Sequence, residues 1–219
     1  MRTETSEGLD RKLTTNYYAR MRSTQQLLPL LEAASPQLSR VVSVLGPGEE
    51  SLTSFHLDDL DLKNNFSLRA AACHAITMTD FAFEEMAKQH PTISFVHAYP
   101  GIVKTGLIKK AGFAMKAALN VTYILLAPWK VNIQESGERH LYVATSAAYP
   151  AKSGNEGGVE LGTEMIKKGS NGELGGGAYL IGSDGELRAN EKALRELRSK
   201  GAGQRIWQHT MHTFDTVTK

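Results

Sequence analysis

Cysteine is almost missing from this chain: Cys73 is the only one in 219 residues. An intrachain disulfide is therefore excluded, as are the C-x-x-C spacing of redox pairs and paired-cysteine zinc sites. A reducing, intracellular compartment is the expectation. Long apolar runs are missing too. The best candidate, VTYILLAPW at 121–129, falls well short of the ~20 apolar residues that cross a bilayer. The opening stretch, MRTETSEGLDRKL, is polar and lacks the apolar run of a signal peptide. We expect a cytoplasmic protein without membrane contact. Charge of one sign is not in excess either, since 25 Lys and Arg against 23 Asp and Glu leave a net charge of +2. Nucleic-acid binding, which needs concentrated basic patches, is not indicated.

What is present is ordinary globular composition, with 41% hydrophobic and 22% charged residues. The length suits one α/β domain, taken as residues 1–219 with a helical tail at 189–219. Leu13, Tyr17, Met21, Thr24, Leu28 and Leu31 recur at three- and four-residue steps, which predicts a long helix over 9–31, bent near Pro29. SRVVSVLGPG then gives a short β-branched run closed by a Gly-Pro-Gly turn, and an acidic loop follows. A second helix is expected to about residue 88, with Asn65 as its N-cap. TISFVHAYPG reads as a strand, 102–129 as amphipathic turns or a flap, and 132–146 as a helix. AYLIG is the third strand, and a helix over 190–200 has Asn190 as its cap. Such alternation predicts a parallel sheet flanked by helices.

Several segments resemble the C-terminal portion of the short-chain dehydrogenase/reductase family. Asn16 stands thirteen residues before Pro29 of LLP; RVVSVLG takes the place of the strand RIVNISS; FSLRAAACHAIT aligns with YSASKAAVHALT; and PGIVKT, Pro100 to Thr105, matches PGxVxT. The TSEGLD and NYYAR opening is similar to divergent fungal members from secondary-metabolite pathways. The resemblance implies a partial Rossmann-like α/β fold lacking the N-terminal nucleotide-binding strands. It also implies a catalytic Tyr, Lys, Ser and Asn. Here the Tyr position is Phe66, which has no proton to give; the Lys position is Ala70; and the Ser position falls on Gly46, or Leu45 if shifted by one. Only Asn16 is retained. The Gly runs at 46–48 and 175–177 do not open a helix after a first strand, so they read as turns. No nicotinamide cofactor and no metal are expected.

The candidate acid/base residues are His97 and Tyr99, two apart on a strand and so on one face near its C-terminal end, with Asn16 anchoring a water. Phe66, Gly46, Pro100, Gly101 and Thr105 are the candidate substrate contacts, with 102–129 as a lid. Each has a structural alternative: a buried strand His is often satisfied by a neighbour, and a helix Asn often bonds to backbone. His74 and Cys73 are read as packing residues, and His56, Asp58 and Asp59 as a solvated loop. The leading expectation is a truncated family member that works without nicotinamide on a small polyketide- or terpenoid-like intermediate, by isomerisation, cyclisation or dehydration. A non-catalytic scaffold and a fragment of an NAD(P)H-dependent oxidoreductase are the alternatives. The two long helices, which form the family's dimer face, imply a homo-oligomer.

Overall fold

The computed structural model describes residues 1–35, 37–103, 112, 130–154, 157–160, 162 and 165–217. Thr105 and nearly all of the expected lid lie outside them. The first helix begins at α1 (Arg11–Leu13), where Asp10 Oδ1 accepts from the N–H groups of Lys12 and Leu13. It widens into a π-turn at Thr14–Tyr18 and continues as α2 (Ala19–Ala33). Thr14, Thr15 and Asn16 each donate a side-chain hydrogen bond to the carbonyl four residues back, which competes with the regular ladder and accompanies the widening. Pro29 sits inside α2 without ending it.

Strand β1 (Arg40–Val44) pairs in parallel with β2 (Ser94–Ala98), and β2 pairs in parallel with β5 (Ala178–Ile181), in the order β1-β2-β5. Register runs Val42 to Val96 and Val96 to Tyr179. A separate two-residue parallel ladder joins β3 (Ile102–Val103) to β4 (Lys130–Val131), which the pattern of the sequence does not announce. Helix α3 (Leu68–Gln89) is capped by Ser67, whose Oγ accepts from Ala70 N–H, so the cap lies two residues later than expected at Asn65. Helices α4 (Ile133–Thr145), α5 (Glu191–Ser199) and α6 (Ala202–Val217) complete the described elements. Among the described residues this is a small parallel sheet flanked by helices.

The alternation of side chains along β2 divides the core. Phe95, with Ala178 and Leu180 of β5, faces the large cluster that contains α3, whereas Val96 and Ala98, with Tyr179 and Ile181, face a smaller cluster with Val143 of α4 and Tyr149. Helix α3 is covered on nearly every side. From Cys73 to Ala87 only Glu85 escapes burial, because α1 and the π-turn pack against one part of the helix and α6 against another. Helix α6 thus covers part of the expected homo-oligomer face within the chain, while Leu27 and Leu30 of α2 and Leu68 at the start of α3 stay exposed. Strand β1 is paired on one side only among the described residues.

Candidate functional site

A cavity of about 370 Å³ opens at the C-terminal ends of β2 and β5, on the α4 face of the sheet. Open α/β sheets offer ligands this end of their strands. Ala98 and Ile181 form its floor, Val143 and Tyr142 one wall, and the turn at Ser183 to Gly185 another. Tyr99 and Pro100 contribute from the chain that leaves β2. Tyr99 lies just past the last strand residue, where the two-residue alternation no longer holds. Its N–H donates to Ile181 O at 2.8 Å, and the Arg188 guanidinium lies 4.1 Å from its ring centroid. Gly101 has φ of +79°, and a Cβ there would come within 2.8 Å of Val131 Cγ2 and 3.0 Å of Ser183 Cβ, so glycine lets the chain turn close to the cavity's rim.

The other polar side chains around the cavity are largely committed. Arg139 donates to Ser183 O and to Glu135, Glu138 accepts from Gln134, and Asp184 Oδ1 accepts from Glu186 N–H. His140 donates Nδ1–H to Ser136 O at 2.6 Å.

His97 does not share this cavity, which corrects its pairing with Tyr99. It lies on the α3 face of β2 and is fully buried. Its Nε2 accepts from Gly46 N–H at 3.3 Å, so Nδ1 carries the proton and donates to Asp80 Oδ1 at 2.6 Å. Burial, aided by the Arg20 charge, pushes the His97 pKa down to about 3. With both nitrogens occupied and no solvent contact, His97 is a brace between the β1 turn and α3. Asp80 is also fully buried, and burial raises its pKa well above the carboxylate range. Its Oδ2 has no hydrogen bond of normal length. Nearby Glu50, 2% exposed, accepts from Gly48 N–H and from Asn190 N–H. Burial and then the Asp80 charge raise Glu50 to about 7. An acid inside the apolar helix stretch ITMTDFAF was a readable signal for Asp80. Nothing in the acidic loop singled out Glu50.

The remaining candidates gather elsewhere. Asn16 is half-buried and its Nδ2 donates to Lys12 O, the backbone alternative. Lys12 Nζ lies 5.4 Å from the Phe66 ring centroid. Phe66 packs at the edge of the large core cluster, Ala70 is buried within it, and Gly46 abuts Ile76. None of Asn16, Phe66 or Gly46 lines the cavity. His74, read as packing, is fully buried, with Nε2 accepting from His56 N–H, and burial lowers it to about 4. Asp59 spends its carboxylate on the N–H groups of Lys63, Asn64 and Asn65.

The two glycine turns are packed against the protein's own side chains. A Cβ at Gly48 would meet Arg188 Cγ at 2.6 Å, and Arg188 Nε donates to Pro47 O, so the first glycine turn is closed by the protein itself. The second is closed in the same way, with Asn171 Oδ1 only 2.5 Å from a Cβ built on Gly176. In the first turn Gly46 N–H donates to His97 and Gly48 N–H to Glu50, so these donors are spent within the protein rather than turned outward as at a phosphate-binding helix start.

Comparison with known proteins gives one consistent kind of relative. The chain is 44% identical over 218 residues, 98% of its length, to Oxidoreductase AN1596 of Emericella nidulans, and spans 64% of that protein. It is 42% identical over 222 aligned positions, 99% of its length, to Oxidoreductase andH of Emericella variicolor, again spanning 64% of the relative. Short-chain dehydrogenase/reductase SAT2 of Stachybotrys chartarum is 30% identical over 98% of the chain, which spans 61% of it. The chain therefore spans less than two thirds of these relatives. No family model matches it.

Proposed function

We propose, from its similarity to short-chain dehydrogenase/reductase-like oxidoreductases, that the chain binds a small, mainly apolar biosynthetic intermediate in the cavity at the ends of β2 and β5. There it promotes isomerisation, cyclisation or dehydration by orientation and proton transfer, with Tyr99 as a proton-handling group. The observation that carries this reading is the contrast between two places. The position of the family's tyrosine holds Phe66, packed against the edge of the core away from the cavity, while a tyrosine does line the open cavity. Phe66 cannot protonate an alkoxide and Ala70 cannot supply a charge, so the residues here do not support hydride transfer through a Tyr-Lys couple.

Conversion of polyketide- and terpenoid-like ketones by the purified chain tests the reading. Ala98→Leu fills the cavity floor and is expected to remove both binding and conversion. Tyr99→Phe should keep binding and lose conversion, and full conversion by this variant would overturn the assignment.

The names of the relatives favour a second reading, in which this chain is a portion of a longer nicotinamide-dependent oxidoreductase. A transcript that joins it in frame to a GxxxGxG segment would support that. Self-association through α2 is part of the proposal as well, and light scattering of a Leu30→Glu variant against the parent chain would test it.

A further inference from the structure

Two residues that line the cavity, His140 and Tyr99, each carry a polar atom with no hydrogen bond among the described residues. His140 Nδ1–H is tied to the Ser136 carbonyl, an oxygen that can only accept, so the neutral ring carries its lone pair on Nε2. Among the described residues no hydrogen bond takes up Nε2, and none takes up the Tyr99 hydroxyl, although both residues line the same cavity. The neighbouring Arg139, Glu138 and Asp184, by contrast, are bonded within the protein. A base with a fixed tautomer and a free phenol across an apolar floor form a complementary pair.

We infer that His140 is the proton acceptor of this cavity and that the substrate is an enolisable ketone on an apolar body. The inference rests on the reading of the cavity as the reaction site. Nε2 of His140 removes a proton from the carbon beside the carbonyl. The C–H electron pair forms the new C=C bond, and the carbonyl π pair moves to oxygen as an enolate, which accepts a hydrogen bond from Tyr99. In a β,γ-unsaturated ketone the same proton returns from Nε2 to the γ-carbon as the enolate collapses, giving the conjugated isomer. No electrons leave the substrate, so no oxidant or reductant is consumed. Ser136 is a positioning residue, because its carbonyl fixes which nitrogen is free.

The full chain in D₂O with 2-tetralone provides the test, with binding followed by saturation-transfer NMR and α-hydrogen exchange by mass spectrometry. The parent chain should bind the ketone and accelerate exchange. His140→Gln should retain binding and lower the enzyme-catalysed exchange by about 100-fold or more. Absence of binding by the parent chain would overturn the cavity reading and the inference together. Binding without exchange, or undiminished exchange in folded His140→Gln, would overturn the base and leave the cavity reading standing. Ring ¹⁵N shifts of His140 in the parent chain supply a readout that needs no variant. They should report the Nδ1–H tautomer, and an Nε2–H tautomer would overturn the inference.

Discussion

The two faces of strand β2 treat titratable groups in opposite ways. On the α3 face, His97, Asp80 and Glu50 are sealed from water and held to one another or to backbone N–H groups. On the α4 face and just beyond the strand, Tyr99 and His140 surround open space. A sealed group is driven toward its neutral form, because burial penalises charge, and it then serves as a fastener. A group at a cavity keeps a free atom with which to meet a ligand. The difference teaches that being a histidine near a strand end says little about chemistry until the face is known.

If that comparison is sound, substitutions on the two faces should separate rate from stability. The largest effect is expected from Tyr99→Phe, which should lower conversion by about 100- to 10,000-fold with an unchanged melting temperature. A comparable loss of rate in His97→Gln, with stability intact, would erase the distinction. Next is Asp80→Ala, which leaves His97 Nδ1–H and the surrounding buried groups without their acceptor. Leaving a buried neutral donor without its acceptor costs about 1–3 kcal/mol, readable as a lower urea midpoint.

A smaller and pH-dependent effect should come from Glu50. Its folded pKa of about 7 lies above the ordinary 4.5, so between those values the folded state holds more protons than the unfolded chain, and stability falls as pH rises. His97 and His74 act in the other direction. Their folded values of about 3 and 4 lie below 6.5, so their contribution is lost as pH falls through that range. The terms oppose one another from about 4.5 to 6.5; above 6.5 the histidine terms are complete, and Glu50 acts in the same direction as Asp80, whose pKa burial also raises. Glu50→Gln removes the charge and keeps an acceptor for only one of Gly48 and Asn190, whose N–H groups bond to different oxygens of Glu50; its midpoint should be lower, yet should change less between pH 6 and pH 8 than that of the parent chain. An equal decline in both would remove Glu50 from the account.

The smallest effect is expected where the family's own chemistry would be rebuilt. Phe66→Tyr with Ala70→Lys should produce no NAD(P)H oxidation, because both residues sit in or against the packed cluster away from the cavity and the glycine turns are closed. Measurable oxidation by the double variant would bring the nicotinamide reading back.

Much of the fold was legible because its determinants are local. β-branched runs ended by Gly and Pro marked β1 and β2, and the apolar stripe of Leu13, Tyr17, Met21 and Leu28 marked the first helix. The candidate site was less legible. Tyr99 and Pro100 were named from the sequence and do line the cavity, whereas Asn16, Phe66 and Gly46 were grouped with them by resemblance and lie elsewhere. His140 was not named at all, since one histidine on an amphipathic helix carries no local signal.

The sequence by itself determined that the tyrosine and lysine positions of the resembled motif hold Phe66 and Ala70, and that the elements alternate as a parallel sheet requires. These are properties of residue identity and short-range periodicity. Only the tertiary structure decided that His97 is a sealed fastener, that α6 covers α3, and that His140 meets Tyr99 at one cavity. Each of those depends on contacts between segments far apart in the chain, where burial and hydrogen-bond partners are set by packing rather than by neighbours in sequence.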